Sequence, residues 1–133
     1  MVAAVNESPL LSFEYFVLRC VPRVDREEFL NVGVVVYGQD SRFLRAACRV
    51  DPERLKALAP ELDVQDVNGY LQTISAICRG DESGGPAARL SERQRFDWLA
   101  APRSTVVQPG PVHSGLTRDP AAELDRLLDR LVL

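Results

Sequence analysis

FEYFVLRCVPRVDREEFLNVGVVVYGQDSRFLRAACRV, residues 13–50, decides the fold. Its first run, 13–21, is rich in aromatic and β-branched residues and stops at Pro22, as a strand does. Residues 23–28 are polar and read as a loop or one helical turn. The second run, 29–37, is the stronger strand, closed by Gly38, Gln39, Asp40 and Ser41 as a hairpin turn. The third covers 42–50. Short connections between consecutive strands favour an antiparallel meander.

Strand alternation sorts this meander into two faces. One carries Phe16, Leu18 and Cys20, then Leu30, Val32, Val34 and Val36, then Leu44, Ala46, Cys48 and Val50. That continuous apolar surface is read as the core. The other carries Tyr15, Val17 and Arg19, then Asn31, Gly33, Val35 and Tyr37, then Phe43, Arg45, Ala47 and Arg49. Asn31 and Gly33 weaken a strand by propensity, so each asks for a reason. One reason is an anion site built from Arg19, Asn31, Gly33 and Arg45. The more ordinary one is structural: Gly33 makes a bulge, Asn31 satisfies a loop, and arginines cover the open side of a one-sided sheet.

Downstream, Asp51-Pro52 is a helix start, with Asp as N-cap and Pro at the first helical position. That short helix stops at Pro60. Asp63 caps the next, whose Val64, Val67, Leu71, Ile74 and Ile77 form one buried stripe, and Gly80 ends it. Residues 81–87 are a surface loop. Ser91 with Gln94 is a capping box opening a helix that carries Phe96, Trp98 and Leu99 and ends at Pro102. Residues 104–108 read as a fourth strand, followed by a turn-rich loop. Asp119-Pro120 repeats the helix start, and Leu124, Leu127, Leu128 and Leu131 make the last apolar stripe. The expectation is a tail at 1–11 and a single α+β domain at 12–133, ordered β-β-β-α-α-α-β-α.

The 133 residues are near the commonest length of a single domain, and 46% hydrophobic and 26% charged residues are ordinary globular values. No positive n-region precedes an apolar run, and no stretch is long enough for a membrane helix, so a cytoplasmic protein is expected. Three cysteines without a C-x-x-C pair, each beside apolar neighbours, read as reduced core residues. With a single histidine, the ligand count argues against zinc, and no metal or cofactor is expected. A net charge of −3 argues against nucleic acid as the main partner. Lys56 is the only lysine, so the basic groups are otherwise arginines, suited to carboxylate or phosphate but also explained by a GC-rich genome.

A second polar concentration brackets the fourth strand: Arg103, Ser104 and Thr105 before it, and His113, Ser114, Thr117 and Arg118 after it. His113 has the right side chain for a general base, yet no motif places a partner beside it: no G-x-S-x-G, no phosphate-cradling glycine loop, no H-E-x-x-H. A loop histidine bonded to backbone is the plainer reading.

Two segments carry a resemblance. YFVLRCVPRVDREEFLNVGVVVY, residues 15–37, and RFDWLAAPRSTVVQPGPVHSGLTRDPAAELDRLLDRLV, residues 95–132, resemble the opening and closing signatures of the bacterial domain of unknown function family 3037. Together they span about half the chain. The resemblance carries no catalytic residues. It implies a bacterial, cytoplasmic protein, often encoded beside kinases similar to those of persistence toxin modules, and hence a partner or regulator role. The matched residues include Arg19, Asn31, Gly33, Arg103, Ser104, Thr105, His113 and Ser114. The leading expectation is a non-catalytic binding or regulatory module for a protein partner such as a kinase, or for a small anionic ligand. Whether it is an enzyme stays open; the alternative is a hydrolase or transferase on a phosphorylated substrate, using His113 with Arg103 and Ser104 or Thr105.

Overall fold

A computed structural model describes residues 8–132. The chain is α+β: strands β1 (Leu11–Cys20), β2 (Leu30–Gly38) and β3 (Phe43–Cys48) form the meander, and helices α1 (Pro52–Leu58), α2 (Val64–Arg79) and α3 (Glu92–Ala100) follow. Then come β4 (Val107–Pro109), β5 (His113–Thr117) and α4 (Pro120–Leu131). The first strand begins inside the stretch read as a tail, and residues 1–7 of that stretch lie outside the described ones. All pairings are antiparallel, in the order β3-β2-β1-β4, with β5 also on β1.

The helix boundaries follow from their caps. The Asp51, Asp63 and Asp119 carboxylates accept from backbone N–H groups of their first turns, and Ser91 and Gln94 close a capping box. Gly80 ends α2 in the left-handed conformation, at φ 74°.

Two features depart from the sequence reading. First, the bulge expected at Gly33 falls beside it and shifts the register of β2: Leu18 pairs with Gly33 but Arg19 with Asn31, so Val32 is the extra residue, and the two-face assignment made without that shift changes. The bulge exchanges the faces of everything after it. Val35 and Tyr37 join Phe16, Leu18 and Leu44 in the core under α2 and α3, whereas Val34 and Val36 turn to the other side. Second, the turn-rich loop contains β5. Both β4 and β5 lie on the same edge of β1, and the register between them slips by one residue around Gly110. The fourth strand is thus displaced from 104–108 and continues as an interrupted edge strand.

The sheet is buried on both sides. On the second side Phe13, Val34 and Val36 pack against Leu124, Leu127 and Val132 of the last helix and its end. Fully burying an aliphatic side chain contributes about 1.5–3 kcal/mol, so this second layer is a substantial part of the stability. The face read as open and arginine-covered is therefore the seat of α4.

Candidate functional site

Because β2 alternates about a bulge, the α2 and α3 side of the sheet is apolar, with Leu18 as its floor near β4. Helix α2 has two uses for its surface. Val67, Leu71 and Cys78 are buried in the core. Asp66, Gly69, Tyr70 and Thr73, spaced three and four apart along the helix, turn instead toward a cleft shared with Trp98 and Leu99 of α3 and with Arg103, Thr105, Val107 and Pro109. The cleft encloses about 690 Å³. That volume is in the range of small-molecule sites, roughly 300–1,000 Å³.

Gly69 keeps the cleft open. A Cβ built there meets no atom within 4 Å, so the glycine sits over empty space in the middle of a helix. Such a glycine costs about 1 kcal/mol against alanine. Tyr70 and Trp98 stand on the rim, 43% and 44% exposed, which is high for such large side chains.

Arg103 supplies the charge. Its guanidinium lies 4.4 Å from the Trp98 ring centroid. Nε donates to the Ala101 carbonyl at 3.3 Å, and Nη2 donates to the Trp98 carbonyl. Burial lowers its pKa from the ordinary value, with no carboxylate among the causes to offset it. An arginine ionises regardless, so a held, unneutralised cation faces the cleft. Thr105 donates its hydroxyl to the Val107 carbonyl at 2.7 Å, leaving oxygen lone pairs for a ligand. Ser104 is exposed beside it.

The other sequence candidates lie elsewhere. His113 pairs with Tyr15 across β1 and β5, the two rings tilted at 31° with centroids 5.2 Å apart. Tyr15 belongs to the α4 side, whereas Arg103 and Thr105 line a cleft floored by Leu18 on the opposite side. The sheet separates the histidine from the residues it would need for catalysis. Gly33 has a packing reason: a Cβ there would come within 2.9 Å of the Ala47 carbonyl oxygen and 3.1 Å of Cys48 Sγ and Leu18 Cδ1. Asn31 donates from Nδ2 to the Leu131 carbonyl at 3.0 Å, tying down the end of α4. Arg45 donates to the Leu44 carbonyl and pairs through its backbone with Val36, about 16 Å along β2 from Asn31 at ~3.3 Å per residue. Arg19 stands opposite Asn31 in the register but makes a different contact, over the Phe29 ring at 4.2 Å. These four residues do not converge.

The cysteines are free. Burial pushes the Cys20 thiol up to about 11 and that of Cys78 to about 12. Cys48 is exposed at the end of β3, not a core residue; desolvation raises its thiol to about 11 against a bond to Ser75. A raised pKa keeps each thiol protonated at neutral pH, the opposite of the shift that activates a cysteine nucleophile.

A family model described as Protein of unknown function (DUF3037) matches residues 15–132. The chain belongs to that family. No curated protein and no solved structure matches it. No helix among the described residues of this DUF3037 chain is long and apolar enough to cross a membrane. Sequence reading found Arg103, Ser104 and Thr105 as a polar concentration. Asp66, Gly69 and Tyr70 carry no such mark, and Trp98 reads only as a residue of the third helix. The available signal was a glycine at the centre of a helix that nothing in its own turn required.

Proposed function

We propose that this chain is a non-catalytic binding module whose ligand occupies the cleft between α2, α3 and β4. The ligand has an apolar or aromatic body for Leu18, Ile74, Tyr70 and Trp98, and one oxyanion for Arg103. The observation that carries this reading is the open cleft with Arg103 stacked on Trp98 and in no ion pair among the described residues, although Asp66 also stands on the cleft wall. Aromatic and arginine side chains together are the usual anchors of recognition. A small anionic molecule satisfies this chemistry, and so does an acidic, apolar side chain of a protein partner, a kinase among them. The separation of His113 from Arg103 and Thr105 favours binding over catalysis.

The test is ligand retention. Full-length protein incubated with a cell extract, washed and examined by native mass spectrometry should retain a bound mass. Gly69→Phe, which fills the cleft, and Arg103→Met, which removes the charge, should lose it. A mass held equally by Gly69→Phe would place the ligand elsewhere and overturn the reading.

A further inference from the structure

Arg19 is left unexplained by packing. It projects from the α4 side of β1, while its neighbour Leu18 floors the cleft on the other side. Its guanidinium lies on Phe29, a ring 45% exposed, at 4.2 Å. Gly110 closes in as well: a Cβ at that position would stand 3.2 Å from both Arg19 Cζ and Nε. Gly110 is itself pinned, its N–H donating to the Val17 carbonyl at 2.7 Å. The guanidinium is thus packed between a ring and a backbone that the missing side chain of Gly110 lets come so near.

This placement is costly. Nε is buried and has no hydrogen-bond partner among the described residues. A buried donor left unmatched carries its full desolvation penalty. No carboxylate pairs with Arg19 among the described residues, although seven ion pairs tie other arginines to acids. The Nη groups are not among the buried unmatched atoms, so the end of the fork reaches the surface. A flat, immobilised guanidinium with its two terminal nitrogens outward is the geometry that takes an oxyanion through two parallel bonds.

We propose that Arg19, held by Phe29 and Gly110, is a second anion site, independent of the cleft and selective for carboxylate or phosphate oxygens. The bulge between β4 and β5 is what brings Gly110 over Arg19, so the irregular edge strand has a function here. The site does not depend on Asn31, Gly33 or Arg45.

The experiment follows the Arg19 Nε–Hε signal by nitrogen-15 NMR in the full chain, titrating inorganic phosphate in one arm and acetate in another at constant ionic strength. Saturable movement of the Arg19 signal in either arm is expected, with exposed Arg89 and Arg130 moving only in proportion to added salt. The arm that saturates at lower concentration names the class. Arg19→Lys keeps the charge but not the fork, and amide shifts of Phe29 and Gly110 should then respond at least tenfold more weakly. Gly69→Phe should leave the Arg19 response intact, separating this site from the cleft. Unsaturable movement in both arms, equal binding by Arg19→Lys, or loss of the response in Gly69→Phe would each overturn the proposal.

Discussion

Gly33 shows how a residue that invites a functional reading is settled by contacts. Its missing side chain is needed because the Ala47 carbonyl, Cys48 Sγ and Leu18 Cδ1 crowd the space a methyl group would fill. The Ala47 oxygen is backbone and cannot swing aside. Gly33→Ala should therefore destabilise the fold by about 1–3 kcal/mol, the usual cost of overpacking, read as a lower urea midpoint with an unchanged slope. Gly69 makes the opposite case. A Cβ there meets nothing within 4 Å, so Gly69→Ala should stabilise the helix by about 0.5–1 kcal/mol in the same assay. Asn31 is settled in part: its amide nitrogen holds the Leu131 carbonyl, whereas its Oδ1 is buried without a hydrogen-bond partner among the described residues.

At the scale of elements, the last helix matters most. Leu124 and Leu127 are buried against Val34 and Val36, so α4 belongs to the fold and is not an accessory. Leu127→Ala should cost about 2–5 kcal/mol in a denaturation curve, comparable with core truncations on the other face. A one-sided sheet would lose far less. The sequence announced the meander, the four capped helices and the stop at Gly80, because aspartate, serine, proline and glycine act locally. Gly33 marked the bulge, but the exchange of faces it causes was concealed, because Val32 to Val36 is apolar on both sides of Gly33 and alternation carries no information in a strand buried on two faces. The sequence concealed β5 for a different reason. Residues 113–117 have turn-like composition and become a strand only by pairing with Leu11 to Tyr15, a contact made across about a hundred residues.

At the scale of the whole molecule, three buried or desolvated thiols and a buried phenol share one consequence. Burial raises Cys20 and Cys48 from 9.0 to about 11 and Cys78 to about 12, and it also raises Tyr37. Above pH 9 the unfolded chain sheds protons that the folded chain keeps, so stability is full below that value and falls as pH climbs through 11 and 12. Urea midpoints should decline over that window, and less steeply in Cys78→Ala. A midpoint independent of pH there would show that the thiols are not sequestered. The candidate site was only half legible. Arg103 and Thr105 stood out as polar residues near a strand, but the cleft they line is walled by Gly69, Tyr70 and Trp98, brought together by the packing of α2 on α3. Packing between helices leaves no local mark in a sequence.

The central claim is that this cleft binds a ligand combining an aromatic body with an oxyanion, and Trp98, the only tryptophan, stands on its rim. Anilinonaphthalene sulfonate has that chemistry, and energy transfer from Trp98 reports its arrival. Titration of the native protein should give saturable, one-to-one transfer, weakened at least tenfold in Arg103→Met and abolished in Gly69→Phe, with both variants folded by circular dichroism. Transfer of equal strength and saturation in Gly69→Phe, or none in the native protein, would contradict the account.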